Sequence, residues 1–167
     1  RTLSLGNNQL ITLPAEIGAL TNLLSLYLGN NQLTTLPPEI NSLTNLSWLY
    51  IDRNHLTSLP LEIGSLTSIT ILSLQNNQLT TLPPTMTNMR NLRQLSLMDN
   101  DNLNFPPREV WENGTIDEIQ AYLRHPPPHP PYAMTPLVTA VLVALIICCA
   151  GMLALGRIYL RWRFVKS

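Results

Sequence analysis

Leucine or isoleucine returns along the first hundred residues at one fixed interval. Leu3, Leu26, Leu49, Leu72 and Leu95 lie 23 residues apart, and the same step relates Leu5, Leu28, Ile51, Leu74 and Leu97. Within each unit the two apolar residues flank a single residue, so they project from one side of an extended segment while the residues between and beside them project from the other. The pattern therefore predicts five short strands with one buried face. Asn8, Asn31, Asn54, Asn77 and Asn100 keep the same step where the chain leaves each strand. A side-chain amide there can satisfy turn backbone groups that would otherwise be buried without partners. Further on, Leu10, Leu33, Leu56 and Leu79, then Leu13, Leu36, Leu59 and Leu82, then Ile17, Ile40 and Ile63 carry apolar groups round the back of each unit. Such a unit cannot bury its own apolar side. Stability has to come from stacking, with successive strands about 4.8 Å apart in one parallel sheet.

The periodicity decays toward residue 100. The fourth unit reads LPPTMTNM over Leu82 to Met89, and the fifth places Asn102 where a Leu is expected, with Leu103 and Phe105 beside it. A terminal unit needs a polar outer face to stop further stacking. Thr115-x-x-Glu118 has the form of a capping box, Ile116, Ile119 and Leu123 recur at helical spacing, and Asp117, Glu118, Gln120 and Arg124 take the other side. A cap helix is predicted over 115–124, with Trp111 as an apolar plug before it. No equivalent precedes Arg1, which already sits in a strand, so further units or a cap are expected upstream.

These residues spell the signature LxxLxLxxNxL, and the chain resembles the leucine-rich-repeat family from residue 1 to about 124. The segments LPAEIGALTNL (Leu13 to Leu23), LPPEINSLTNL (Leu36 to Leu46) and LPLEIGSLTSI (Leu59 to Ile69) are similar to the 23-residue subclass found in Ras-associated intracellular scaffolds and their plant relatives. The resemblance implies an α/β solenoid, a horseshoe with a parallel β-sheet on its concave face. That face would bind proteins, and no catalytic chemistry is implied.

On the solvent side of the predicted strands, one column reads Ser4, Tyr27, Tyr50, Ser73, Ser96. A second reads Thr2, Ser25, Trp48, Ile71, Gln94, and a third Gly6, Gly29, Asp52, Gln75, Met98. Tyr27, Trp48, Tyr50 and Ile71 gather centrally, flanked by Asp52 and Arg53. Aromatic residues beside an Arg are what protein interfaces concentrate at their hot spots. The six residues are the candidate protein-binding patch, although cross-strand aromatic pairs also support sheets.

The rest of the chain follows another pattern. His125 to Pro136 holds six prolines in twelve residues, a composition that stays extended at about 3.1 Å per residue, so 125–136 reads as a stalk. Residues 137–156 carry no charge, and at 1.5 Å per residue they reach about 30 Å, the thickness of a bilayer core. With Thr139 as the lone interruption, a transmembrane helix is expected and an amphipathic core helix is not. In the basic tail, 157–167, residues Arg157, Tyr159, Arg161, Trp162 and Arg163 read as membrane-interface anchors. Ala140, Ala144 and Cys148, four apart, form a small-residue ridge on which a second span could pack as a dimer. The organisation expected is thus repeats over 1–114, cap helix, stalk, span and tail.

Charge bears mainly on topology. Ten Lys and Arg balance ten Asp and Glu, which points to no nucleic-acid partner. Arg157, Arg161, Arg163 and Lys166 nonetheless follow the span, and no Lys or Arg lies between Arg124 and it. The positive-inside bias then leaves the tail in the cytoplasm and the repeats outside. Asn45-Leu46-Ser47 and Asn113-Gly114-Thr115 are sequons an outside location could use for glycosylation at Asn45 and Asn113. Against this stand the intracellular subclass, the absence of Cys-rich caps and a span eleven residues from the C-terminus, which together fit a tail-anchored scaffold with cytosolic repeats, possible for a small GTPase.

Chemistry adds little more. The only cysteines, Cys148 and Cys149, lie in the apolar run, so no disulfide framework or Cys-based zinc site can form in the polar part. His125 and His129 share a face only in a helix, which their prolines forbid. His55, beside Asn54, reads as a turn residue, and no catalytic set or phosphate loop is present. The expectation is a membrane-anchored module that recognises a protein partner, without cofactor or metal, and not an enzyme.

Overall fold

The computed structural model of the chain describes residues 1–126. Five three-residue strands, β1 (Thr2–Ser4), β2 (Ser25–Tyr27), β3 (Trp48–Tyr50), β4 (Ile71–Ser73) and β5 (Gln94–Ser96), form one sheet in chain order. All neighbours are parallel, and every residue pairs with its equivalent 23 positions on, as in Leu26 with Leu49 and Leu49 with Leu72. The hydrogen bonds that join coils repeat with the period. Leu5 N–H donates to the Tyr27 carbonyl at 2.8 Å, Leu28 to Tyr50 at 2.7 Å, Ile51 to Ser73 at 2.9 Å and Leu74 to Ser96 at 2.8 Å.

Behind the sheet each of the first four coils makes one short 3-10 turn, at Ala15–Ala19, Pro38–Ser42, Leu61–Ser65 and Pro84–Asn88. Proline explains where each begins. Pro14, Pro37, Pro60 and Pro83 are the N-caps, with φ between −64° and −70°, the angle their rings impose. Their carbonyls accept from the N–H three residues on, that of Ile17, Ile40, Ile63 and Met86, at 3.1 Å in each case. The same four residues are buried, so one tight turn reverses the chain and delivers an apolar side chain to the core. That core runs the length of the stack as a single cluster, from Leu13 and Ile17 to Leu103, Ile119 and Leu123.

The Asn column ties coil to coil. Asn54 Nδ2 lies 3.1 Å from the carbonyls of both Leu28 and Ile51 and 3.2 Å from that of Asp52, while its Oδ1 accepts from Leu33 N–H at 3.0 Å. Asn31, Asn77 and Asn100 repeat this arrangement one coil before and one and two coils after. The side chain of Asn8, in the first described coil, bonds only carbonyls of its own coil, those of Leu5 and Gly6.

The stack ends on two helices. α1 (Arg108–Asn113) was not anticipated from the sequence; it follows Pro107, again a proline fixing a helix start, and carries Trp111 half-buried against the core. α2 (Ile116–Arg124) begins with the reciprocal bonds of a capping box, Thr115 N–H to Glu118 Oε2 at 2.6 Å and Glu118 N–H to Thr115 Oγ1 at 3.3 Å. Gln120 departs from its predicted polar side. It is buried and donates to the Met89 carbonyl at 3.1 Å, because a backbone acceptor covered by the cap needs a donor.

Among the described residues no helix is long and apolar enough to cross a membrane. The stalk beyond Pro126, the predicted span 137–156, the anchors Arg157, Tyr159, Arg161, Trp162 and Arg163, and the ridge Ala140, Ala144 and Cys148 lie outside the described residues.

Candidate functional site

The outward face of the sheet is built from alternate strand residues, and its centre is aromatic. Tyr27 on β2 and Tyr50 on β3 are registered neighbours, and their rings stack with centroids 5.0 Å apart and planes 6° from parallel. Trp48, two residues before Tyr50 on the same face, is 44% exposed, although indole is the largest apolar side chain available. Ile71 is registered beside it on β4 and is half-buried. Ser25 and Ser73 were expected on this face as exposed residues, yet both are buried. They pair with Trp48 and Tyr50, and side chains of that size shield a neighbouring serine.

Beyond the tyrosines the face drops into a trough of about 320 Å³, lined by Ser4, Gly6, Asn7, Tyr27, Gly29 and Asp52 among others. Its floor is glycine. Gly6 and Gly29 occupy the column that holds Asp52, Gln75 and Met98 in later coils, so two side chains are missing side by side. The space at Gly29 is taken by the neighbouring coil: a Cβ there would lie 3.0 Å from Asp52 Oδ1 and 3.3 Å from its Cγ. The Asp52 carboxylate therefore leans back across the coil boundary into the trough. On the far wall, Asn30 Nδ2 donates to Asn7 Oδ1 at 2.9 Å.

Arg53 lines the trough's end with an unusual backbone. One residue before each ladder Asn the chain turns left-handed, at Asn7, Asn30, Arg53, Asn76 and Asp99, with φ between 54° and 58°. Asn and Asp tolerate this region through local hydrogen bonds, whereas a long side chain such as Arg gains no such relief and costs about 1 kcal/mol or more there. The sequence signal for this conformation is the Asn at 7, 30 and 76 and the Asp at 99, each directly before a ladder Asn.

The period, the register and the ladder are those of one family. A model described as leucine-rich repeat region matches residues 1–98. The chain belongs to the leucine-rich-repeat family. A solved leucine-rich-repeat protein of Leptospira interrogans, LIC12759, is similar to it at 43% identity and a TM-score of 0.62, over 66% of this chain and 28% of that one. The plant peptide hormone receptor RGFR1, solved in complex with RGF2, is similar at 33% identity and a TM-score of 0.54, over 58% of this chain and 16% of that one. This leucine-rich-repeat chain thus spans less than a third of either. No curated protein matches it.

The remaining candidates separate structurally. Asn45 is exposed, and its Nδ2 donates to the Thr21 carbonyl at 2.9 Å. Asn91 makes the equivalent bond to Thr67 at 2.9 Å without belonging to a sequon, so a bond between coils accounts for an Asn at this position. Asn113 ends α1. His55 is an exposed turn residue whose Nδ1 lies 3.2 Å from Gln78 Nε2. Among the described residues no three His, Cys, Asp or Glu side chains gather as metal ligands.

Proposed function

We propose that the chain is a membrane-tethered recognition module whose repeats bind a protein partner on the outward face of the sheet, centred on Tyr27, Trp48, Tyr50 and Ile71 with Asp52 and Arg53 at its margin. The observation that carries this reading is Trp48: an indole left 44% exposed beside a stacked tyrosine pair is a large apolar group unused by the fold, and such groups mark interaction sites. The likeness to a receptor solved with its peptide hormone agrees with a protein or peptide ligand. The tether rests on the uncharged run 137–156, and the basic residues after it favour repeats on the outer side, as in a surface receptor or adhesion protein.

Replacing Trp48 and Tyr50 together by Ala is expected to abolish capture of protein from native membranes by the full chain and to leave the melting temperature within about 3 °C, because neither side chain is part of the buried core. Loss of folding, or capture undiminished, rejects the patch. A second reading, a tail-anchored scaffold with cytosolic repeats that binds a small GTPase, is favoured by the LPxEIxxLxxL segments, which resemble those of intracellular scaffolds. Protease added to intact cells is expected to digest the repeats; their protection would establish the scaffold reading instead.

A further inference from the structure

We propose that the trough beside the tyrosine pair is a subsite for one cationic side chain, Lys or Arg, of the bound polypeptide, with Asp52 as its counter-ion. This rests on the outward sheet face being the recognition surface, and it adds the chemistry of the ligand.

Four features converge on a cation. Asp52 is the one carboxylate in the three outward columns of the sheet, and it is half-buried. Its carboxylate oxygens have no hydrogen-bond or ion-pair partner among the described residues, since the bonds made by Asp52 involve its backbone carbonyl alone. It leans over Gly29 into a space of about 320 Å³. A wall of that space is the Tyr27–Tyr50 stack, and an aromatic wall attracts an ammonium or guanidinium at its faces. A partly desolvated carboxylate next to aromatic rings, over a floor that carries no side chain at Gly6 or Gly29, accommodates the methylene stem of a long basic side chain as well as its charge.

Arg53 is the competing group, and it sharpens the test. Its backbone is left-handed at φ 54°, and its side chain is exposed. If the trough took an anion, Arg53 would be the residue engaged. If it takes a cation, that charge is paired with Asp52 and the preference for a basic residue does not depend on Arg53.

The experiment selects a phage-displayed library of random dodecapeptides on the immobilised full chain. Enriched peptides are expected to carry Lys or Arg at one shared position. On the wild-type chain, replacing that residue of a synthetic winner by norleucine should weaken binding about tenfold, the scale of a half-buried ion pair. On Asp52→Asn the basic and norleucine peptides should bind equally, so the loss is coupled to Asp52 alone. Arg53→Asn should leave the difference between the basic and norleucine peptides at about tenfold, whatever it does to the affinity of both. Peptides that require Trp48 yet show no basic preference, or no coupling to Asp52, would overturn the subsite and leave the recognition face standing. Acidic winners that lose affinity with Arg53→Asn would overturn it too. Binding that survives Trp48→Ala unchanged, or no enrichment over an unrelated protein, would reject both readings.

Discussion

Asn54→Ala is expected to destabilise the array by about 3–6 kcal/mol, because it strands several buried backbone groups at once. The side chain is only 4% exposed. It serves the carbonyls of Leu28, Ile51 and Asp52 and the N–H of Leu33, and alanine offers none of them a partner. Leu33 is fully buried, so water cannot replace the lost acceptor without opening the coil. Position amplifies the effect. In a stack where each coil contacts only its neighbours, weakening the second-to-third interface uncouples the coils before it from those after it, and each part then loses the packing the other supplied. Urea denaturation followed by far-ultraviolet circular dichroism should show a transition moved far toward zero denaturant. Asn8→Ala is the control: its side-chain amide is exposed and bonds only its own coil, and it should cost less than about 1 kcal/mol. Equal, small losses from the two would mean that the Asn column does not hold the stack together.

That contrast shows why so much of the fold was legible in the sequence. A 23-residue step that brings Leu3, Leu26 and Leu49 back to the same place fixes the order of strands, their direction and their register together, because in a solenoid each is a consequence of the period. The features that escaped prediction depend on the neighbouring coil. Ser25 and Ser73 alternate outward like their column-mates but are buried by their registered aromatic partners. Gln120 lies among the polar residues of α2 by spacing, yet its amide is claimed by the Met89 carbonyl, just past the last 3-10 turn. The left-handed column had a signal, Asn at positions 7, 30 and 76 and Asp at 99, but the ladder one residue later draws the eye to the other Asn of each pair. The candidate site divides likewise. Period-two alternation is enough to bring Tyr27, Trp48, Tyr50 and Ile71 onto one face. The direction in which Asp52 leans is set by the absence of a side chain at Gly29 in the coil before, and reading it requires the two coils in place.

Leu49→Ala is expected to cost about 3–5 kcal/mol, the range for a large aliphatic group removed from a closed core. Leu49 has no exposed surface and is registered between Leu26 and Leu72, which have none either. A cavity here has a packed coil on each side, held by backbone ladders that limit how far either can collapse into it. The change also falls between Trp48 and Tyr50, so it tests fold and recognition against each other. If the outward face carries recognition, adjacent substitutions should part company: Trp48→Ala removes binding and leaves the melting temperature nearly unchanged, whereas Leu49→Ala lowers the melting temperature by well over 5 °C. Leu49→Ala should still bind at temperatures where it remains folded, since the residues that would touch a partner are all present. A Leu49→Ala chain that is folded by circular dichroism yet fails to bind would mean that recognition needs a rigidly held sheet as well as the right side chains on it. A Trp48→Ala chain that unfolds would make the indole part of the core after all.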